Sequence, residues 1–252
     1  MEQKVLNNPE TATDGLFRGE GRIFSEKEVF SFDNYVFDLY GTLIDLHTDE
    51  WITPTWKKWF KVLREEKIKH PFLKKFRKQF FDLDRAYRLK DKEHDFPEVD
   101  VVEILDELFT SYGNRKMTYE EIFDISYSFR AASIEYIKLF DSVTDFLKKL
   151  HEKGKKVYIL SNAQKSYTLY ELQNFGLDKL VDDYLLSSDY KVMKPEKEFY
   201  DALVTKHNLD RSKTVMIGDS YENDYKGALN AGLNAIWLGK ENVSGKFYKR
   251  YI

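Results

Sequence analysis

Apolar positions along the chain follow two different periods, and the change between them divides it. Short continuous runs read as strands buried on both faces: Tyr35-Val36-Phe37, Val157-Tyr158-Ile159-Leu160, Tyr184-Leu185-Leu186, Val215-Met216-Ile217 and Ala235-Ile236-Trp237-Leu238. Between the later runs, apolar residues recur three and four apart. Val143, Phe146, Leu147 and Leu150 make one such helix, closed by Gly154. Further helices are expected from Ser161-Asn162 to Gly176, from Glu198 to His207, and from Asp224 to Ala231. Strand–helix alternation of this kind predicts an α/β fold built on a doubly wound parallel sheet.

The first run stands apart from the other four. After Ile44-Asp45-Leu46-His47-Thr48-Asp49-Glu50, a polar exit from the sheet, the period becomes helical for almost ninety residues. Trp56, Trp59, Phe60 and Leu63 share one helical face, and so do Phe72, Phe76, Phe80, Leu83 and Tyr87. Val101, Ile104, Leu105 and Leu108 mark a third helix. A last one is expected to carry Ile122, Phe129, Ser133, Tyr136, Ile137 and Phe140. The sequence therefore divides into an N-terminal extension (1–30), an α/β core (31–47 and 136–252) and a helical insertion (48–135). Residues 1 to about 22 are polar and patternless, and read as a loosely docked arm that Phe24, Val29 and Phe30 pin at its end.

Composition narrows the classes of function. A chain of 252 residues, 42% hydrophobic and 33% charged, can bury a sizeable core as a soluble protein. Its net charge of −3 suggests no nucleic-acid partner. The absence of cysteine removes disulfides, thiolate metal sites and cysteine nucleophiles, and fits a reducing, cytoplasmic compartment. No apolar run reaches membrane-spanning length, and the N-terminus lacks a signal-like apolar stretch. Residues 57–92 hold 14 Lys/Arg against 5 Asp/Glu, followed by seven acids in 93–107. This reads first as balanced solvated faces, and second as a field that attracts an anionic small-molecule substrate. The sequence leaves the oligomeric state open.

Polar residues collect at the ends of the strands. Asp38 ends the first run, Ser161-Asn162 the second and Asp219 the fourth, while Lys194 lies in the loop after the third. A parallel sheet brings all its carboxyl ends to one edge, so residues far apart in sequence converge there. Asp38 can attack an electrophile. Ser161 can hydrogen-bond the group in flight, and Lys194 can neutralise charge that develops on it. Asp219, Asp38 and a backbone carbonyl can form a hard oxygen site for Mg²⁺, and Asp224 can bind metal waters or orient Lys194.

These four stretches, in this order, resemble the four motifs of the haloacid dehalogenase superfamily. They are Phe37-Asp38-Leu39-Tyr40-Gly41-Thr42-Leu43, Leu160-Ser161-Asn162-Ala163, Lys194-Pro195 with Phe199-Tyr200, and Ile217-Gly218-Asp219-Ser220-Tyr221-Glu222-Asn223-Asp224. The resemblance spans about 34–239. It implies a Rossmann-like core with strand order 5-4-1-2-3, numbered by the runs above, and a small α-helical cap formed by the insertion. It further implies that Asp38 is the nucleophile, with Tyr40, Thr42, Ser161, Asn162 and Lys194 around it, and that Mg²⁺ is held by Asp38, Tyr40, Asp219 and Asp224.

At one position the chain departs from the superfamily's phosphatases. They usually carry an aspartate two residues after the nucleophile, as the acid and base for the leaving alcohol; here the residue is Tyr40. A phenol, with a pKa of about 10, is a poor base near neutrality. Tyr40 with Gly41, Thr42 and His47 looks like the 2-haloacid dehalogenase branch, whose halide needs no proton. Asp219 and Asp224 look like the phosphatases, because Mg²⁺ lets one anion attack another. The sequence thus suggests an Mg²⁺-dependent phosphatase that works through an aspartyl phosphate. The alternatives are a 2-haloacid dehalogenase working through an aspartyl ester, and a catalytically weakened ligand-binding or regulatory protein.

Overall fold

A computed structural model describes residues 18–20, in backbone only, and residues 23–239 and 245–252 with their side chains. Its centre is a six-stranded, all-parallel sheet. In chain order the strands are β1 (Arg18–Glu20), β2 (Asn34–Phe37), β5 (Lys156–Ser161), β6 (Asp183–Leu186), β7 (Thr214–Gly218) and β8 (Asn234–Trp237). Their spatial order is β1-β8-β7-β2-β5-β6. The five strands expected from the apolar runs take the expected order, with β2 in the middle, paired through Phe37 to Ile159 on one side and Ile217 on the other. The sixth was not expected. Arg18–Glu20 pairs with Ala235–Trp237 at the sheet edge, inside the stretch read as a loose arm. The rest of that arm, 1–17 and 21–22, lies outside the described residues.

Alternation along each strand feeds two separate cores. Tyr35, Phe37, Val157, Ile159, Val215 and Ile217 face one layer, with α6 (Val143–Glu152) packed over them through Val143, Phe146, Leu147 and Leu150. Val29 of α1 (Glu26–Val29) and Phe24 bury on this side, as do Phe247 and Tyr248 of α11 (Lys246–Arg250). Val36, Tyr158, Leu160 and Met216 face the other layer, against Phe199, Tyr200 and Leu203 of α9 (Lys197–His207). Burial on both faces explains why the strand sequences are unbroken apolar runs. Among the described residues, no helix is long and apolar enough to cross a membrane.

The insertion has a core of its own. It comprises α2 (Thr53–Glu65), α3 (Leu73–Lys90), α4 (Val101–Ser111) and α5 (Tyr119–Ser133). Trp56, Trp59, Phe60, Phe76, Leu105, Phe109 and Phe129 interlock at its centre. The Trp59 indole N–H donates to the Ile125 carbonyl and the Ser128 hydroxyl, both at 3.0 Å.

Two features of the insertion differ from expectation. Residues 44–50 do not leave as a polar loop, and the last helix stops at Ser133. Instead β3 (Ile44–Thr48) and β4 (Ile134–Leu139) form an antiparallel stalk, with Ile44 opposite Leu139 and Leu46 opposite Ile137. Ile134-Glu135-Tyr136-Ile137-Lys138-Leu139 alternates only in part, and its apolar residues also fit helical spacing, so the strand is decided by its partner ninety residues earlier. The second feature is a seam. Residues 94–98, between α3 and α4, lie along the loop that carries Lys194. Pro97 bridges Val192, Met193 N–H donates to Phe96 O (2.9 Å), and Glu98 N–H donates to Lys191 O (2.8 Å). Glu196 accepts from the Asp95 and Phe96 backbone, and His94 bridges Asp91 and Glu198.

Because Trp59 is fully buried and doubly hydrogen-bonded, Trp59→Ala is expected to cost about 3–5 kcal/mol in urea unfolding. A loss below about 1 kcal/mol would remove Trp59 from the centre of the insertion's core.

Candidate active site

The site lies at the carboxyl edge of the sheet, where β2, β5 and β7 end beside the loop after β6. Asp38, one residue beyond β2, is fixed by its N–H donating to Ile217 O (3.0 Å). Gly41 then turns the chain with φ +83°, and a Cβ there would overlap the carboxylate of Asp219. At Gly218 a Cβ would overlap the Asp224 carboxyl in the same way. The two glycines are thus spaces into which carboxylates fit. The Thr42 hydroxyl accepts from Asp219 N–H (3.1 Å), and Trp237 Nε1 donates to the Asp219 carbonyl (2.8 Å).

Lys194 is the hub. Its Nζ is buried and lies 2.7 Å from Asp38 Oδ1 and 2.6 Å from Asp224 Oδ1. Ser161 Oγ donates to the same Asp38 oxygen at 3.2 Å, leaving Oδ2 without a hydrogen bond among the described residues. Asn162 grips the Lys194 backbone from both sides: Nδ2 donates to Lys194 O (2.9 Å), and Oδ1 accepts from Lys194 N–H (2.8 Å). Asp224 Oδ2 accepts from Ser220 N–H (2.9 Å), at the start of a π-helical turn (Tyr221–Lys226) leading into α10 (Gly227–Asn230).

Carboxylate oxygens of Asp38, Asp219 and Asp224 lie within 4.8 Å of one another. One ammonium serves all three. Burial alone would lower the Lys194 pKa, but Asp224 and Asp38 outweigh it and hold the ammonium charged. Partial loss of water contact around its carboxyl, then the charge of Asp38, pushes Asp219 up to about 6. Asp224 is raised as well, by burial first, against the pull of Lys194. An excess of hard oxygen charge in so small a space fits a divalent cation such as Mg²⁺. Tyr40 lines the same cleft, and its backbone carbonyl accepts no hydrogen bond from the described residues.

The structure brings Asp38, Tyr40, Thr42, Ser161, Asn162, Lys194, Asp219 and Asp224 to this edge, leaves His47 on the stalk beside Glu135 and Tyr136, and turns two of the edge residues away from the reacting position. Asn162 spends its amide on Lys194. The Tyr40 hydroxyl points into a buried network that sequence reasoning missed. It donates to Glu171 Oε2 (2.5 Å) and lies 3.1 Å from Thr168 Oγ1, both on α7 (Lys165–Asn174). Arg130 of α5 crosses from the insertion, bonded to Glu171 (2.7 Å) and Glu50 (2.7 Å), with its guanidinium 5.1 Å from the Tyr40 ring centre. Burial, then the charge of Glu171, raises the Tyr40 pKa far above the usual phenol range. The sequence signal for the network was Arg130 and Glu171 on otherwise inward helix faces. Trp56 and Trp59 serve insertion packing, whereas Trp51 is exposed and stacks on Phe81.

Asp219 gives a pH prediction. Its folded pKa is raised above the unfolded value, so the folded state holds the extra proton between about pH 4 and 6. Stability without divalent ions therefore falls as pH rises through that window. Asp219 is an exposed residue at the cleft mouth, so the effect is discounted to about 1 kcal/mol. Asp219→Asn should then raise the melting temperature by about 2–4 °C at pH 8 in chelator, and much less at pH 5. An equal or opposite shift at the two pH values would contradict this, as read by thermal melts.

A family model described as haloacid dehalogenase-like hydrolase matches residues 32–232. Pyrimidine 5'-nucleotidase YjjG of Escherichia coli (strain K12) is 37% identical over 84 residues, covering 33% of this chain and 37% of that protein. A phosphoglycolate phosphatase of Vibrio parahaemolyticus is 29% identical over 118 residues, 47% of this chain and 50% of that protein. The chain thus matches only about a third to a half of the length of these curated relatives. A solved 2-haloacid dehalogenase from Pseudomonas syringae pv. Tomato DC3000 shares the fold at TM-score 0.58 and 20% identity, over 85% of this chain and 88% of that one. The family match runs from just before β2 to Gly232, so the sheet edge and the insertion both fall inside it, and the chain belongs to the haloacid dehalogenase-like hydrolases.

Proposed function

We propose that this hydrolase is a phosphatase that acts on a small phosphorylated metabolite, with Mg²⁺ as its cofactor and the helical insertion as a cap. The observation that carries the reading is the imbalance at the sheet edge, three carboxyls to one ammonium. Such a site repels an anion unless a cation joins it, and gains from a cation that also binds phosphate oxygens. The phosphatase and nucleotidase relatives agree with it. The residues suited to hold Mg²⁺ are Asp38, Asp219 and the Tyr40 carbonyl, with Asp224 serving chiefly to orient Lys194. Bound there, the ion would supply charge neutralisation that lets a carboxylate approach a phosphate dianion.

The chain's own residues divide the work. Asp38 Oδ2, free of hydrogen bonds among the described residues, attacks phosphorus as the bond to the leaving oxygen breaks; the alkoxide departs and takes its proton from water, and the phosphoryl group is left on Asp38. Water then attacks that phosphorus, releasing orthophosphate and restoring the carboxylate. Lys194 and Ser161 hold the other Asp38 oxygen in line and face the transferring oxygens. Asn162 and Asp224 position Lys194, and Thr42 positions Asp219.

A 2-haloacid dehalogenase is the second reading, favoured by Tyr40. The carboxyl surplus weighs against it, because a halocarboxylate brings a further negative charge. A weakened binding protein would keep the fold without turnover.

Asp38→Asn should abolish turnover in a protein that still folds; wild-type rates in the pure variant would reject Asp38 as nucleophile. Tyr40 makes a second prediction. With its proton committed to Glu171 and its pKa raised, it offers the leaving alcohol no acid. Aryl phosphates should therefore outpace alkyl phosphates by about 10²- to 10⁴-fold in kcat, in an Mg²⁺-dependent assay. Comparable rates would mean that another group delivers the proton. Halide release that persists in chelator would favour the dehalogenase.

A further inference from the structure

Beside the Asp38 cleft lies a second chamber of about 250 Å³, joined to it through Tyr40 and Asn162. It lies between sheet edge and insertion, and its walls include Glu50, Glu98, Arg130 and Tyr167. Resting on the phosphatase reading, its position suits the part of the substrate that departs from phosphorus.

The chamber's charged groups are already committed, and they leave a bias. Arg130 is its one cationic wall residue among those described. Its Nε and Nη2 bond Glu171, its Nη1 bonds Glu50, and the Tyr40 and Tyr167 rings lie 5.1 and 5.6 Å from its guanidinium carbon. Arg88, behind the wall, is held by Asp84, Glu98 and the Pro97 carbonyl. The side-chain amides each spend one N–H, Gln164 Nε2 on Val99 O and Asn162 Nδ2 on Lys194 O, and the Tyr40 hydroxyl donates to Glu171. Glu98 accepts from Arg88, Ser187 and the Val99 backbone. Glu50 differs. Its Oε1 takes Arg130, while its Oε2 accepts no hydrogen bond among the described residues, and its side chain is about a quarter exposed, at 27%. Among the charged groups of the chamber, the unspent capacity is therefore that of an acceptor carrying negative charge.

We infer that this chamber receives the leaving alcohol, that it selects uncharged or cationic alcohols bearing hydroxyl or ammonium donors, and that Glu50 is the residue that reads them. An alcohol with a second anionic group meets Glu50 and Glu98 with no free cation to compensate, and like charges at an interface strongly disfavour binding. Donor groups satisfy Glu50 Oε2, which a bound ligand lacking them would cover and leave unpaired.

The test compares ethanolamine phosphate and glycerol 3-phosphate with glycolate phosphate, and uses 4-nitrophenyl phosphate to establish phosphatase activity independently. In the wild type, kcat/KM for the two donor-bearing esters should exceed that for glycolate phosphate by about 100-fold or more. Gln at position 50 keeps an oxygen for Arg130 but removes the charge. Glu50→Gln should therefore narrow the ratio of ethanolamine phosphate to glycolate phosphate by about 10-fold, mainly through KM. A wild type that hydrolyses 4-nitrophenyl phosphate yet handles glycolate phosphate as well as the others overturns this inference and leaves the phosphatase reading standing. A wild type inert toward every phosphomonoester overturns both. An unchanged ratio in Glu50→Gln overturns the role of Glu50, and because the wild-type comparison needs no variant, poor folding of Glu50→Gln does not shield the inference.

Discussion

The architecture of the site depends on one buried ammonium. Lys194 comes from a loop beyond β6, yet its Nζ sits within 2.7 Å of two carboxylates from elsewhere, Asp38 at the end of β2 and Asp224 in the helical turn after β7. Taking a lysine out of water costs several kcal/mol unless opposite charge and hydrogen bonds replace the solvent. Here Asp38 and Asp224 do so, Asn162 fixes the backbone from which the side chain springs, and two glycines leave room for the neighbouring carboxyls. The polar arrangement and the sheet geometry are thus mutually dependent. Only parallel strands bring β2, β5 and β7 to the same edge, and only this set of charges makes that edge habitable for Lys194.

What was legible in the sequence was what short-range pattern can encode. Tyr35-Val36-Phe37 and Val215-Met216-Ile217 announce strands because they are buried on both faces, and the polar residue after each run marks where the sheet opens to solvent. Val143, Phe146, Leu147 and Leu150 announce α6 because they fall on one stripe, and all are fully buried. The stalk was not legible, since Ile44–Thr48 and Ile134–Leu139 are each short and ambiguous and define each other only by pairing. Arg18–Glu20 was hidden for a related reason: an edge strand needs backbone partners more than a distinctive side-chain pattern. In the site, residue identity gave the members, but not their orientation. Nothing near Tyr40 in the chain says that its hydroxyl will meet Glu171, or that Arg130 will lie over its ring.

That hydroxyl changes the meaning of the tyrosine. Read from the motif, Tyr40 marks the loss of an acid–base group. Seen in place, it is one member of a joint in which α5, α7, Glu50 and the nucleophile loop meet around Arg130. A buried ion pair of this kind is weak evidence for stability, because desolvation offsets much of its attraction, but breaking it by removing one partner is costly. The joint therefore constrains where the helices of the insertion sit relative to Asp38.

The seam between residues 94–98 and the Lys194 loop has a bearing on how such a protein can diversify. An insertion attached through a stalk alone could be exchanged for another without disturbing the chemistry beneath it. Here the insertion is also stitched, backbone to backbone, to the segment immediately before the buried lysine. Grafting a foreign set of helices onto β3 and β4 would remove hydrogen bonds on which Lys191 and Met193 depend, and would slacken the lysine's support. Interchangeable modularity is thus limited in this chain: the heritable unit is the insertion together with the 191–196 loop, and a viable chimera has to move both.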